Sequence, residues 1–255
     1  MKKPFFSVVI PTLNEEKFLP KLLRNLVDQY WSDFEVIHID GHSDDQTVQE
    51  AAKFKTKLNI KTVTCKIRNV SVQRNLGGEH AVGEWIIFFD ADTQIDPDFL
   101  LGIRYNIAKA ERRGHEFGVF SSLITLNDFD AKKSKHRVSS NVVNSVLTAS
   151  AKSDRPRLFG AMIGVSREAF TEIQFDPNSK FAEDMLFAEQ IINKGYDYRL
   201  FRTPKFKFSM RRWDEQSLVA TAAKAGLLQM QLIFGKDFSE KDYEMAGGTN
   251  YDHKD

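Results

Sequence analysis

The chain has one cysteine, seven prolines and no excess of either charge: 36 lysine and arginine residues stand against 35 aspartate and glutamate residues, a formal net charge of +1. Each scarcity excludes something. The single cysteine, Cys65, rules out an intrachain disulfide framework and a cysteine-based zinc cluster, and it fits a reducing compartment, so the cytoplasm is the expected location. Charge balance removes the case for a general nucleic-acid binder, because affinity for a phosphate backbone needs concentrated positive charge. No uninterrupted apolar run reaches the roughly 18 residues of a membrane span. The apolar stretch that ends at Pro11 is too brief for a signal-peptide core with its cleavage site. Glycine cradles are missing as well: with neither GxGxxG nor GxxxxGK[ST], the dinucleotide-binding and P-loop readings have no support. The six histidines show no HExxH or His-x-His spacing, so none is assigned as a metal ligand, and His38, inside an apolar run, is read as a satisfied core histidine.

What is present suffices for a large core. The chain has 255 residues, 42% of them hydrophobic, with 21 Phe and 3 Trp, which describes one compact domain or one domain with a small appendage. Phe5 to Ile10, stopped by Pro11, has the pattern of a strand buried on both faces. A helix is expected next, capped by Asn14, with Glu15 and Glu16 in its first turn and Phe18, Leu19, Leu22, Leu23, Leu26 and Val27 at helical spacing. Phe34 to Ile39 reads as a second strand ending at Asp40-Gly41, and Ser43-Asp44-Asp45-Gln46 has capping-box form at the head of a second helix. The alternation continues with a strand over Ile60 to Thr64, a polar helix near Gln73 to Ala81, and the strand Trp85 to Phe89. Asp96-Pro97 then opens a helix with Phe99, Leu100, Ile103 and Ile107 on one face. Strand, helix, strand, helix is the signature of a parallel α/β sheet. Further on, Phe117 to Leu126 and Leu158 to Val165 are expected strands. Ser134 to Ala151, Ala182 to Lys194 (closed by Gly195) and Asp214 to Phe234 are expected helices.

In open α/β sheets ligands bind beyond the carboxyl ends of the strands. Three strands of this chain end in polar clusters: Pro11 to Glu15, Asp40 to Asp45, and Asp90-Ala91-Asp92. If they converge at one rim, they make a polar crevice rich in carboxylates. Asp90-x-Asp92 can hold a hard divalent cation that bridges a diphosphate, although the same tripeptide also serves in turns and caps. Its place after a wholly apolar strand favours the ligand reading, because burying carboxylates without a partner is costly.

These segments resemble the family 2 glycosyltransferases of GT-A fold. The resemblance rests on Ser7 to Glu15, Ile39 to Thr47, Arg74-Asn75-Leu76-Gly77 leading through Ala81-Val82-Gly83-Glu84 to Asp90-Ala91-Asp92, then Phe181 to Leu186, which resembles the acidic ED motif, and Met210 to Trp213, which resembles the closing basic-aromatic element. Five motifs in order are far more specific than any one. The resemblance implies a mostly parallel sheet flanked by helices over residues 1–213, with a nucleotide-binding half (1–115), an acceptor half (116–213), and a C-terminal helix and tail over 214–255. It further implies that Pro11, Thr12 and Glu15 line the nucleoside pocket, that Asp40 accepts a hydrogen bond from a uracil or guanine base, and that Arg74 helps hold base, ribose or phosphate. Asp90 and Asp92 would hold Mn²⁺ or Mg²⁺, Asp90 and Ala91 also lying against the nucleotide. Asp184 would be the general base, with Glu183 orienting it or touching the acceptor. Arg211, Arg212 and Trp213 would close over the diphosphate. Because the base should not be quenched by an arginine, Asp184 is expected across from Arg211.

The implied activity is inverting transfer from a UDP- or GDP-sugar to a hydroxyl of a saccharide, lipid-linked or small-molecule acceptor. Two rivals are a nucleotidyltransferase of related fold, which would need the basic glycine-rich N-terminal loop absent here, and a non-catalytic sugar-nucleotide binder. His42 stands where the family often has a small residue, so the turn after Asp40 should be shaped differently. The QxxRW of processive members is also missing, which favours single transfers. Glu183 and Asp184 can also be read as first-turn acids of a helix, and Asp44 and Asp45 as capping residues. Leu218 to Phe234 is read as a helix packing on the domain, with contact to the inner membrane face or a homodimer as alternatives. Lys132 to Arg137 is read as a solvated helix start, with a patch facing an anionic acceptor or headgroup as its alternative.

Overall fold

The structure, a computed structural model, describes residues 3–126, 132, 134–151, 158, 160–179 and 183–209, with backbone alone over 134–139. The chain divides between Phe208 and Ser209, and the fold below is that of the first part.

Seven strands form one sheet in the order β3-β2-β1-β4-β6-β5-β7. These are β1 (Phe6–Thr12), β2 (Phe34–Asp40), β3 (Ile60–Thr64), β4 (Trp85–Phe89), β5 (Val119–Leu126), β6 (Met162–Ser166) and β7 (Tyr198–Phe208). Only β6 runs against its neighbours, pairing antiparallel with both β4 and β5; the other pairs are parallel. The strands are near-continuous apolar runs because both faces are covered. Along β1, Phe6, Val8 and Ile10 enter one core while Val9 enters the other. Helices α1 (Leu19–Val27), α2 (Thr47–Ala52) and α4 (Phe99–Glu111) supply the first core. Helices α6 (Arg167–Glu172) and α7 (Glu183–Asn193) supply the second. Helix α3 (Val70–His80) lies so close to β1 that a Cβ on Gly77 would sit 2.2 Å from the Val9 side chain. Helix α5 (Ser134–Ser150) docks where β5 is irregular between Ser122 and Ile124. There Asn144 accepts from the Ile124 N–H and donates to the Ile124 carbonyl, both at 2.9 Å, replacing ladder bonds that the irregularity forfeits.

Several local expectations need correcting. β1 runs through Pro11 to Thr12, since its pairing with β4 stops at Val9 and the missing Pro11 N–H interrupts nothing on that side. Asn14 does not cap α1: its φ is 57°, the left-handed region, and the helix begins at Leu19 with Phe18 as its N-cap, so Glu15 and Glu16 precede the first turn. The stretch Ser43 to Gln46 forms no capping box. The N-cap of α2 is Gln46, without a side-chain bond. α4 begins at Phe99, leaving Pro97 before the helix, and β6 begins at Met162 rather than Leu158. Strand β7 and helix α6 were not anticipated. β7 is an edge strand carrying four basic residues (Arg199, Arg202, Lys205, Lys207) and an internal Pro204, so it lacks the apolar signature of a buried strand. The expected helix over 214–234 lies outside the described residues.

Candidate active site

Because β2, β1 and β4 are parallel neighbours, their carboxyl ends share one edge, and Thr12 pairs in register with Asp40. The antiparallel β6 starts beside the end of β4, Phe89 pairing with Met162. Residues 160 and 161 are thereby set against the Asp90 loop, where the Asp90 N–H donates to the Ala161 carbonyl at 3.1 Å.

At the first part of this rim, Thr12, Glu15 and Asp40 are all buried. Thr12 Oγ1 lies 2.9 Å from His38 Nε2, and His38 Nδ1 lies 3.2 Å from Thr62 Oγ1. Burial pushes the His38 pKa down to about 4, only partly offset by the nearby Asp40 charge, so the ring is neutral at pH 7. The reading as a satisfied core histidine therefore holds, with the addition that this histidine orients Thr12. Asp40 accepts the Ser43 N–H through Oδ2 at 3.1 Å, while its buried Oδ1 has no hydrogen-bond partner among the described residues. An acceptor left in that state invites a ligand donor.

The loops around Asp40 are joined by reciprocal bonds. Asn14 N–H donates to Ser43 Oγ (3.0 Å) and Asp44 N–H to Asn14 Oδ1 (2.8 Å); Glu15 N–H donates to Thr47 Oγ1 (2.8 Å). Glu16 N–H donates to Asp45 Oδ2 and Gln46 N–H to Glu16 Oε2, both at 3.1 Å. Asp44 thus acts as a loop fastener rather than a helix cap, while Asp45 does both, its Oδ2 holding Glu16 and its Oδ1 accepting the N–H of Thr47, the first residue of α2, at 2.9 Å. In the turn after Asp40, His42 sits at φ 63° with its carbonyl accepting from Arg68 at 2.8 Å.

At the second part, the loop carrying Asp90-Ala91-Asp92 is fixed by Thr93, whose N–H donates to the Asp90 carbonyl at 3.0 Å and whose hydroxyl donates to the Ala161 carbonyl at 3.1 Å. Ala91 and Asp92 are buried. Glu183 and Asp184 open α7, where the helix dipole favours acids. Asp184 Oδ1 accepts the Met185 N–H at 2.9 Å, and its other oxygen lies against Gly160, where a Cβ would come within 2.8 Å of it. Loss of solvation, reinforced by Glu183, pushes the Asp184 pKa up to about 7, with Arg74 pulling the other way.

Arg74 joins the two motifs. Its Nη1 donates to Glu183 Oε1 at 2.9 Å, and its Nη2 to Asp90 Oδ1 at 3.3 Å and the Gly160 carbonyl at 3.2 Å. Composition and spacing had no means of finding Gly160 or the 109-residue reach from Arg74 to Glu183; the close approach at Gly160 is a matter of tertiary contact alone. Pro11, Thr12, Glu15, Asp40, Arg74, Asp90, Ala91, Asp92, Glu183 and Asp184 are described. Arg211, Arg212 and Trp213 lie outside the described residues, as does the expected placing of Asp184 relative to Arg211.

The family model described as "Glycosyl transferase family 2" matches residues 7–174. The chain belongs to glycosyl transferase family 2. Within the family, it is 36% identical over 99 residues to a poly(ribitol-phosphate) beta-N-acetylglucosaminyltransferase, TarS, of Staphylococcus aureus strain Mu50, a match covering 37% of this chain and 17% of that protein. It is likewise 36% identical over 101 residues to a dolichyl N-acetyl-alpha-D-glucosaminyl phosphate 3-beta-D-2,3-diacetamido-2,3-dideoxy-beta-D-glucuronosyltransferase of Methanococcus voltae, covering 38% of this chain and 32% of the relative. The chain therefore spans well under half the length of these curated relatives. Among solved structures, S. aureus TarS residues 1–349 in complex with UDP-GlcNAc superposes with TM-score 0.62 at 23% identity, covering 82% of this chain and 58% of that one. The mannosyltransferase PcManGT of Pyrobaculum calidifontis, in complex with GDP-Man and Mn²⁺, gives TM-score 0.59 at 24% identity, covering 80% and 56%. The fold of this family 2 member is that of the GT-A glycosyltransferases, as the motif resemblance implied. No helix among the described residues is long and apolar enough to cross a membrane.

Proposed function

We propose that this family 2 member is a metal-dependent inverting glycosyltransferase that moves a sugar from a UDP- or GDP-sugar to an acceptor hydroxyl. The observation that carries the reading is the meeting of Asp90 and Glu183 on one guanidinium, which draws the two acidic motifs to the same rim as Thr12 and Asp40. Pro11, Thr12, Glu15 and Ala91 line the nucleoside side, and Asp40 accepts from the base. Complexes of TarS with UDP-GlcNAc and of PcManGT with GDP-Man support both donor classes.

The acidic pair Asp90 and Asp92 offers hard oxygen donors, which fit Mn²⁺ or Mg²⁺. No group of three or more His, Cys, Asp or Glu side chains that could hold a metal gathers among the described residues, so Asp90 and Asp92 would be the protein's share in holding the cation. When bound there, the cation would supply charge neutralisation for the departing diphosphate. Asp184 takes the proton of the acceptor hydroxyl as that oxygen bonds to the anomeric carbon and the bond to the diphosphate breaks, a single displacement with inversion. A carboxyl pKa pushed up toward neutrality suits that duty, since it leaves a stronger base than an ordinary aspartate. Glu183 orients Asp184 or touches the acceptor, and Arg211, Arg212 and Trp213 close over the diphosphate. The acceptor is a saccharide, a lipid-linked sugar or a small molecule, reached in the cytoplasm or at the inner membrane face.

A thermal-shift panel of UDP-, GDP- and dTDP-sugars with and without Mn²⁺ tests this reading, because a ligand of the native state raises its stability. Stabilisation by one donor class, enhanced by Mn²⁺, is expected; no shift with any donor would sink the assignment. Asp92→Ala should then remove the Mn²⁺ enhancement. A donor that binds and is never consumed, even by hydrolysis, would leave the non-catalytic binder in its place.

A further inference from the structure

Arg74 was implied as a nucleotide contact, but its surroundings point elsewhere. The side chain is 3% exposed, and both terminal nitrogens are engaged by Glu183, Asp90 and the Gly160 carbonyl. The guanidinium carbon lies 5.2 Å from the centre of the Phe175 ring, which itself stacks on Phe187 of α7 at 3.9 Å and 14°. The neighbouring residue secures that platform: Asn75 donates to the Phe175 carbonyl at 2.8 Å and accepts from the Phe175 N–H at 2.9 Å. Arg74 and Asn75 thus bind the α3 helix to the segments before and within α7. Three of the five N–H donors are held by these partners, while the buried Nε finds no hydrogen-bond partner among the described residues; the two acids held by the terminal nitrogens come from distant parts of the chain.

We propose that Arg74 is a positioning residue that sets the separation of Asp90 and Glu183, and through Glu183 the placement of Asp184, while leaving nucleotide binding to other groups. Without the guanidinium, two like charges at the end of β4 and the start of α7 would repel one another. The Asp184 carboxylate, next along the chain and resting on the Gly160 backbone, would lose its aim at the acceptor. A lysine is an incomplete substitute because a point charge cannot grip both acids as a planar fork does. The inference rests on the glycosyltransferase reading above.

The test compares wild type, Arg74→Lys, Arg74→Gln, Glu183→Gln and the Arg74→Gln/Glu183→Gln double variant. Binding of UDP and GDP is measured by calorimetry for every variant in EDTA, where the cation's hold on Asp90 does not enter, and for the wild type also in Mn²⁺; turnover in Mn²⁺ is followed as nucleotide released from the donor sugar that binds. The expected result is a Kd within about threefold of wild type throughout, with turnover reduced about tenfold in Arg74→Lys and about a hundredfold in Arg74→Gln. The double variant should lie within about threefold of Arg74→Gln, because residues acting through one contact are not additive. A Kd that weakens in step with turnover, additive losses in the double variant, or wild-type turnover in Arg74→Gln would each overturn the proposal. Should Arg74→Gln fail to fold, Arg74→Lys and Glu183→Gln carry the same split. Failure of the wild type to bind any nucleoside diphosphate is a different outcome: it overturns the functional reading, and the positioning role with it.

Discussion

At the end of the rim proposed for the nucleoside, five hydrogen bonds from backbone N–H groups to side chains join the segment after β1 to the segment after β2, whereas at the carboxylate end two bonds to the Ala161 carbonyl tie down the DxD loop and one guanidinium joins that loop and Gly160 to the start of α7. The first arrangement is redundant, and each bond joins segments close in space through short side chains. In the second, the link to Glu183 runs through a single long side chain and leaves charged groups dependent on it. Titration differs in the same sense. Burial at the nucleoside end keeps His38 neutral by lowering its pKa, while burial and like charge at the carboxylate end raise that of Asp184. A neutral, bonded floor suits binding, and a carboxyl poised near neutrality suits proton transfer.

The comparison breaks most sharply at Asp184. Asp184→Asn should lower turnover by about a thousandfold, the usual scale for a lost general base, with the Kd for nucleoside diphosphate unchanged. Equal loss in both would mean that the two ends are not separate. If Asp184 is the base, as proposed, it works only when deprotonated, so wild-type turnover should climb as pH rises through about 7 and level off above it. An acidic limb near the ordinary aspartate value would show that the carboxyl is not raised. Both are read from steady-state rates between pH 5 and 9.

Gly160→Ala sharpens the same contrast from the backbone side. An added Cβ would meet Asp184 Oδ2 at 2.8 Å and displace it, so turnover should fall about tenfold to a hundredfold, the scale of a misplacement near 1 Å, while nucleotide affinity holds. An unchanged rate would show that Asp184 has room to move.

The first hundred residues are legible because buried parallel strands are apolar runs and their polar ends stand out, which is what singles out Asp40, Asp90 and Asp92 as candidates. What escaped depended on partners far along the chain. Asn14 looks like a cap until Asp44 and Ser43, about thirty residues on, hold it in a left-handed loop. Arg74 reads from sequence as a contact to base, ribose or phosphate, and its ion pairs with Asp90 and Glu183 come into view only in the fold. β7, charged and interrupted by Pro204, carries the mark of an edge, which periodicity reads as a loop.

A smaller effect separates the two ends through stability. The His38 pKa is lowered, so its charged form is disfavoured in the folded state. Stability is therefore full above the unfolded value of 6.5 and is lost as pH falls toward about 4, by up to about 3 kcal/mol. Asp184, with a raised pKa, contributes the opposite slope: stability present below 3.8 and lost as pH rises through about 7. The two offset one another in wild type. Removing the acid in Asp184→Asn should unmask the histidine, so that urea unfolding shows a steeper loss of stability between pH 6.5 and 4.5. Adding His38→Asn should flatten that loss; a gap between the two variants that is the same at both pH values would count against His38.

The least effect is expected where the rim is redundant. Ser43→Ala removes the acceptor of the Asn14 N–H but keeps the Ser43 N–H that donates to Asp40, and four other bonds still join the loops. Unfolding free energy should drop by about 1 kcal/mol, the net worth of one such bond, and nucleotide affinity by less than about threefold. Asn14 is exposed, so water can take over part of what the hydroxyl supplied. A loss of affinity tenfold or greater from this single hydroxyl would show that the loops act as one cooperative clamp. The nucleoside end would then depend on single contacts as much as the carboxylate end does.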